Sequence, residues 1–209
     1  MRRLLKWFFV TACATAGICG ALIVAMWVSL DIRYGVVYFL SEHFDLNPPI
    51  ASEQLARQVQ ALKRVALVDA SGRSFDWKSS RRAIVWVNEW ANWCVPCRME
   101  FPAMKALQDR VGKDKLRIVL LSQPKYWIAD KLAAKEIGLD FELVSPLKAS
   151  EADLAAINLA KRSGQFLLPE NTFMRSNGNG LRAFHAVRPW DSMTWETIIR
   201  HWYEPAFSG

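Results

Sequence analysis

Cys94 and Cys97 stand two residues apart between a run that reads as a buried strand and a run that reads as a helix. Ala83-Ile84-Val85-Trp86-Val87 is short and mostly β-branched or aromatic, the composition of a strand covered on both faces. Beyond the cysteines, Met104, Leu107 and Val111 recur at helical spacing and Gly112 marks the stop. Two cysteines so spaced can close a disulfide across the first turn of a helix, and the helix N-terminus favours the thiolate of the first. The competing reading, half of a structural zinc site, lacks a second pair. The other two cysteines, Cys13 and Cys19, lie inside an apolar run near the N-terminus.

Read from Asn88 to Pro102, the pattern Asn-x-Trp-Ala-x-Trp-Cys-x-Pro-Cys-Arg-x-Glu-x-Pro resembles the TlpA/ResA-like, membrane-anchored thioredoxins, which include reductases of cytochrome c maturation. The likeness covers about residues 65 to 209. It implies an α/β thioredoxin-like fold with an N-terminal hairpin and a strand-helix insertion, with Cys94 as the attacking and Cys97 as the resolving thiol. It also implies that Glu100 tunes the thiols and relays a proton to or from Cys97, its negative charge disfavouring the Cys94 thiolate. A cis-proline facing the disulfide is expected just before a strand. Leu168-Pro169 fits, with Pro146 the fallback. Trp93, Val95, Pro96 and Leu168 are the candidate substrate contacts, Trp93 as a partly exposed ledge next to Cys94. Glu89 departs from the pattern, standing where the family usually has Phe, so its carboxylate must reach an edge, titrate or find a partner.

The other elements follow from pattern. Ser52 to Arg64 carries Leu55, Val59 and Leu62 on one helical face. A hairpin turns at Gly72, and Leu116 to Ser122 reads as a parallel strand completing a βαβ unit. Lys125 to Ile137 reads as a helix, Phe141 to Val144 as a strand and Glu151 to Leu159 as a short helix. Glu170 to Met174 and Leu181 to Val187 form a hairpin, closed by a helix over Trp190 to Trp202. Trp86, Trp90, Trp195 and Trp202 are expected in the core.

At 209 residues and 52% hydrophobic content, the chain holds one ordinary domain plus an anchor. Trp7 to Leu30 contains no charged residue, enough length to cross a bilayer. Cleavage after Ala14-Thr15-Ala16 would leave a second apolar stretch at the new terminus, so an uncleaved signal anchor over residues 1–32 is expected. Arg2, Arg3 and Lys6 precede the span, which places the N-terminus in the cytoplasm and the rest in the periplasm, where disulfide chemistry is done. Residues 33–64 read as a juxtamembrane segment and 65–209 as the thioredoxin-like domain. The net charge of +7 is scattered, with pairs at Arg2-Arg3, Arg81-Arg82 and Lys161-Arg162, which argues against nucleic-acid binding.

The expected protein is thus a membrane-tethered reductase of protein disulfides, with no metal and no cofactor, recharged by a membrane electron-donor protein. Strong oxidases of this fold carry a histidine between the cysteines, and none is present here. Two alternatives use the same thiols: a disulfide-forming oxidase, and a copper or apoprotein-binding module. His185, far downstream of the pair, resembles the histidine of copper-delivering Sco proteins, but those have three residues between the cysteines, whereas here there are two and His185 falls within the last strand.

Overall fold

The computed structural model describes residues 52–77, 83–157, 168–175, 179–185 and 187–207, all within Asp45–Gly209, the second of two units into which the chain divides. The anchor expected over residues 1–32 lies outside the described residues. Among the described residues no helix is long and apolar enough to cross a membrane.

In chain order the elements are α1 (Ser52–Arg64), β1 (Val68–Asp69), β2 (Ile84–Trp90), α2 (Val95–Val111) and β3 (Leu116–Ser122). A 3₁₀ turn, Pro124–Tyr126, leads into α3 (Trp127–Glu136), followed by β4 (Glu142–Ser145) and α4 (Glu151–Ala156). The chain closes with β5 (Glu170–Arg175), β6 (Gly180–His185) and α5 (Met193–Phe207). One six-stranded sheet runs β1-β4-β3-β2-β5-β6. β2, β3 and β4 are parallel, and β5, β6 and β1 pair antiparallel with their neighbours.

Alternation along β2 explains the layering, because successive side chains leave opposite faces of the sheet. Ile84, Trp86 and Trp90 join Phe101, Met104, Leu107 and Val111 of α2 and Trp195 and Ile199 of α5 in one core. Val85 and Val87 join Leu55, Val59 and Leu62 of α1 in the other. Every residue of β2 is buried, as expected of a strand with helices on both sides. The aromatic side is tightly stacked: the Trp86 and Trp190 rings lie 4.6 Å apart, as do those of Trp190 and Trp195.

Three differences from the sequence reading bear on the site. α1 is part of the packed domain rather than of a segment ahead of it, since its apolar stripe forms much of the second core, so the packed unit takes in Ser52 instead of beginning at 65. β2 runs on through Asn88 and Glu89 to Trp90, because both polar residues have neighbours inside the fold. The last helix begins at Met193, with Trp190 left in the preceding loop and used for a hydrogen bond described below. The hairpin is short but present: Val68 bridges Ser74, and Gly72 takes the left-handed conformation (φ 83°) that the turn requires.

Candidate active site

Cys94 is the N-cap residue of α2, Pro96 occupies the first turn, and Gly112 ends the helix. Proline fits there because its missing N–H would have no helical acceptor. The two cysteines form a disulfide with Cα atoms 5.3 Å apart, and the Cys97 N–H points at the Cys94 sulfur, 3.3 Å away. The helix N-terminus therefore acts on Cys94 first, the condition that favours its thiolate once the bond is reduced. Cys94 is less open than expected of a helix tip, only 3% exposed, because its sulfur is turned inward to bond Cys97. Trp93 beside it is 45% exposed, with its ring edge-on to Tyr126 at 5.7 Å, and provides the expected ledge.

The Leu168-Pro169 peptide bond is cis, so Pro169 rather than Pro146 is the cis-proline. It immediately precedes β5, whose Glu170 is the register partner of Glu89 on β2, and this brings Pro169 alongside the end of the strand that leads to Cys94. Pro169 is buried and Leu168 half-buried.

Glu100 sits one turn beyond Cys97 on the inner side of α2 and is fully buried. Its Oε1 accepts from the Trp190 indole N–H at 2.5 Å and from the Arg188 backbone N–H at 3.3 Å. The Asn88 amide donates to Oε2 at 3.3 Å, and the Asn171 amide donates to both oxygens at 3.3 and 3.4 Å. The orientation of Asn171 is fixed from behind, since its own oxygen accepts from the Trp86 indole at 2.7 Å and from Asn88 at 2.8 Å. Burial pushes the Glu100 pKa up to about 8, and the four sets of donors only partly oppose it. The standing negative charge that the resemblance implies for Glu100 does not survive this burial. In the disulfide state Glu100 instead holds a proton at neutral pH.

A second buried carboxyl pins the approach to the dithiol. Asp130, on the first turn of α3, accepts the Asn92 backbone N–H at 2.7 Å and the Ser122 hydroxyl at 2.5 Å. Burial raises its pKa, against the pull of those two donors. Asn88, Asn171, Trp190 and Asp130 were missed by sequence reasoning. An asparagine inside an apolar strand was the available signal for Asn88, whereas the others come together only through the sheet register and the inserted helix.

Glu89 does not reach an edge. It is buried on the face turned away from α2, opposite Glu170, which is also buried and accepts from the Gln58 amide. His185 lies 3.3 Å from Glu170 on that same face, across the sheet from Glu100 and α2. His185 is therefore not brought to the cysteines, and the three-ligand copper arrangement does not form. Among the described residues no three His, Cys, Asp or Glu side chains are grouped to hold a metal ion.

The sheet order, the dithiol at the tip of α2 and the cis-proline opening β5 define a thioredoxin-fold protein. The thioredoxin domain of a thiol-disulfide oxidoreductase from Bacteroides vulgatus shares the fold at a TM-score of 0.51 and 17% identity, over 65% of this chain and 92% of that one. DsbF of Mycobacterium tuberculosis does so at 0.51 and 16%, over 66% and 97%. Among curated proteins, the thiol-disulfide oxidoreductase ResA of Geobacillus kaustophilus is 26% identical over 135 residues, 65% of this chain and 70% of its own length. The thioredoxin-like protein YneN of Bacillus subtilis is 39% identical over 57 residues, 27% of this chain and 33% of its own. The ResA of Bacillus thuringiensis is 29% identical over 75 residues, 36% and 43%. The alignments with YneN and with that ResA thus span less than half of each relative. No family model matches the chain. In sequence the chain is thus similar to the thiol-disulfide oxidoreductases named ResA.

The raised pKa of Glu100 predicts how stability depends on pH. The folded state keeps a proton that the unfolded chain releases near the ordinary value of 4.5, so this contribution is complete below that pH and is lost as pH rises toward about 8. Denaturant unfolding of the disulfide form from pH 4 to 9 checks it. Relative to Glu100→Gln, the native protein is expected to lose stability steadily between pH 5 and 8, and a pH-independent difference would contradict the assignment.

Proposed function

We propose that this protein is a membrane-tethered thiol-disulfide oxidoreductase that reduces protein disulfides outside the cytoplasm. The observation that carries the reading is the Cys94–Cys97 disulfide at the N-terminus of α2, one helical turn from a buried Glu100 that retains a proton. In the reduced protein the Cys94 thiolate attacks one sulfur of a substrate disulfide, the other substrate sulfur leaves as a thiolate, and a mixed disulfide remains. Cys97 then loses its proton and attacks the Cys94 sulfur. The second substrate thiolate departs, and two electrons have passed to the substrate, leaving the bond seen in the structure. Glu100, at position i+3 from Cys97 on the same helix, holds its proton in the disulfide state and is the group placed to give it to the Cys97 thiolate when the disulfide is reduced again. Trp93, Val95, Pro96 and Leu168 form the apolar rim that meets substrate. Pro169 has no N–H of its own, so the flanking backbone is left to pair with an extended chain.

Three features support the direction and the setting. No histidine stands between the cysteines to stabilise the thiolate, and a less stabilised thiolate makes the reduced form the better electron donor. The curated relatives named ResA are thiol-disulfide oxidoreductases by name. The uncharged stretch from Trp7 to Leu30 follows three basic residues. A reductase in an oxidising compartment must be recharged, so a membrane electron-donor protein completes the cycle, with cytochrome c maturation the setting the resemblance favours.

Replacing Cys97 with Ser stops the reaction at the mixed disulfide and traps its partner. Apocytochrome c or its assembly factors, with a native potential near the thioredoxin value of about −270 mV, are the expected result. Newly secreted reduced proteins, with a potential near about −120 mV, would make it an oxidase. The tether is tested separately by C-terminal fusion reporters: one active only in the periplasm is expected to work, and activity of a cytoplasm-only reporter would overturn the topology.

A further inference from the structure

A groove of about 500 Å³ begins beside the dithiol and runs along α2. Val95, Met99 and Pro102 form one side, and Ile137, Leu139 and Phe141, from the segment joining α3 to β4, form the other. Val95 lies between the two cysteines in the chain, so the near end of the groove is one residue from Cys94. At 1.5 Å per residue along a helix, the ten steps from Val95 to Lys105, which also lines it, cover about 15 Å. An extended chain at about 3.3 Å per residue fills that length with four or five residues.

The charges along the groove are unequal. Lys105 pairs with Asp109 at 2.6 Å, and Asp140 pairs with Lys113 at 2.5 Å. Lys113 follows the C-terminus of α2, so Asp140 is drawn toward the end far from the dithiol. Arg98 is exposed, lines the groove, and pairs with no acid among the described residues. It stands four residues, about 6 Å, beyond Cys94 along the chain of α2. Pro102, inside the helix, has no N–H to give the carbonyl four residues back, which is that of Arg98. One point on the groove thus offers both a positive charge and a carbonyl without its usual helical donor, against an apolar surface on which Met99 is 38% exposed.

We propose that this groove takes an extended apolar segment of the disulfide-bearing partner, with a carboxylate two or three residues from the reacting cysteine facing Arg98. The inference rests on the thiol-exchange reading and adds a substrate preference to it. A partner cysteine bonded to Cys94 starts at the mouth of the groove, two or three extended residues bring the carboxylate level with Arg98, and the remaining residues cover Met99 and Phe141. Its backbone N–H groups face the Arg98 carbonyl.

The test uses the full chain in detergent with Cys97→Ser, reduced, and three synthetic nonapeptides whose cysteine is capped as a mixed disulfide with 2-mercaptoethanol. The first has Leu directly after the cysteine, Glu at the second and third following positions and Phe at the fourth. The second has Lys in place of Glu, and the third keeps Glu but has Ser in place of Leu and Phe. In each, Cys94 attacks the peptide sulfur and 2-mercaptoethanol leaves, so the peptide adduct is counted by mass. Bis(2-hydroxyethyl) disulfide, neutral and too small to fill the groove, reports the thiol itself. The Glu peptide is expected to react about fivefold faster than the Lys peptide at low salt and faster than the Ser peptide, with the Glu-to-Lys advantage shrinking at high salt. Arg98→Glu is expected to invert the Glu-to-Lys ratio, a comparison in which any change in thiol reactivity cancels. Equal rates for Glu and Lys peptides, or a ratio unmoved by Arg98→Glu, would overturn the groove while the small disulfide still reacts. Failure of the small disulfide and all peptides would instead overturn the thiol-exchange reading.

Discussion

A carboxyl group buried among tryptophans holds the active side of this domain together. Glu100 takes hydrogen bonds from β2 through Asn88, from β5 through Asn171 and from the loop before α5 through Arg188 and Trp190, while its own backbone belongs to α2. An unpaired polar group at that depth is costly, so the four segments are constrained to meet at one point. Trp86 closes the set by donating to Asn171, and its ring packs on Phe173 and Trp190. The same burial that demands these donors keeps the proton on Glu100 up to a pH of about 8. Structure and proton chemistry thus have one cause.

The second buried acid works through the backbone. Asp130 joins the insertion to the loop leading to Cys94 by holding the Asn92 N–H, and Tyr126, just ahead of it, supports Trp93. The inserted α3 and β4 therefore do more than extend the sheet. They fix the entry to the dithiol on one side, and the segment between them forms the outer wall of the groove along α2.

Much of this was legible in the sequence where local chemistry decides. The bounds of α1 and β3 follow from apolar spacing, and α2 follows from the same spacing with Pro96 and Gly112 at its ends. Pro169 is identifiable from its place before a strand and hairpin. What spacing cannot give is the partner of a face: the stripe of Leu55, Val59 and Leu62 announces a helix but not that it covers Val85 and Val87. Polar residues in β2 hid its true length, because Asn88 and Glu89 read as the end of an apolar run until Glu100 and β5 are set beside them. Trp190 reads as helix by composition and is loop in fact, held there by Glu100. The charge of Glu100 was misjudged for the same reason, since burial is a property of the assembled fold.

The coupling between Glu100 and the dithiol is open to direct measurement. The measurement is the midpoint potential of Cys94–Cys97 from pH 6 to 10, for the native protein and for Glu100→Gln. A thiolate near Glu100 in the reduced form raises its proton affinity further, so above pH 8 reduction takes up an additional proton there. The potential is expected to fall more steeply above pH 8 in the native protein than in Glu100→Gln, by up to about 30 mV per pH unit, the value for one proton in a two-electron couple. Parallel lines across the whole range would show that Glu100 holds the fold without touching the chemistry, and would contradict that coupling.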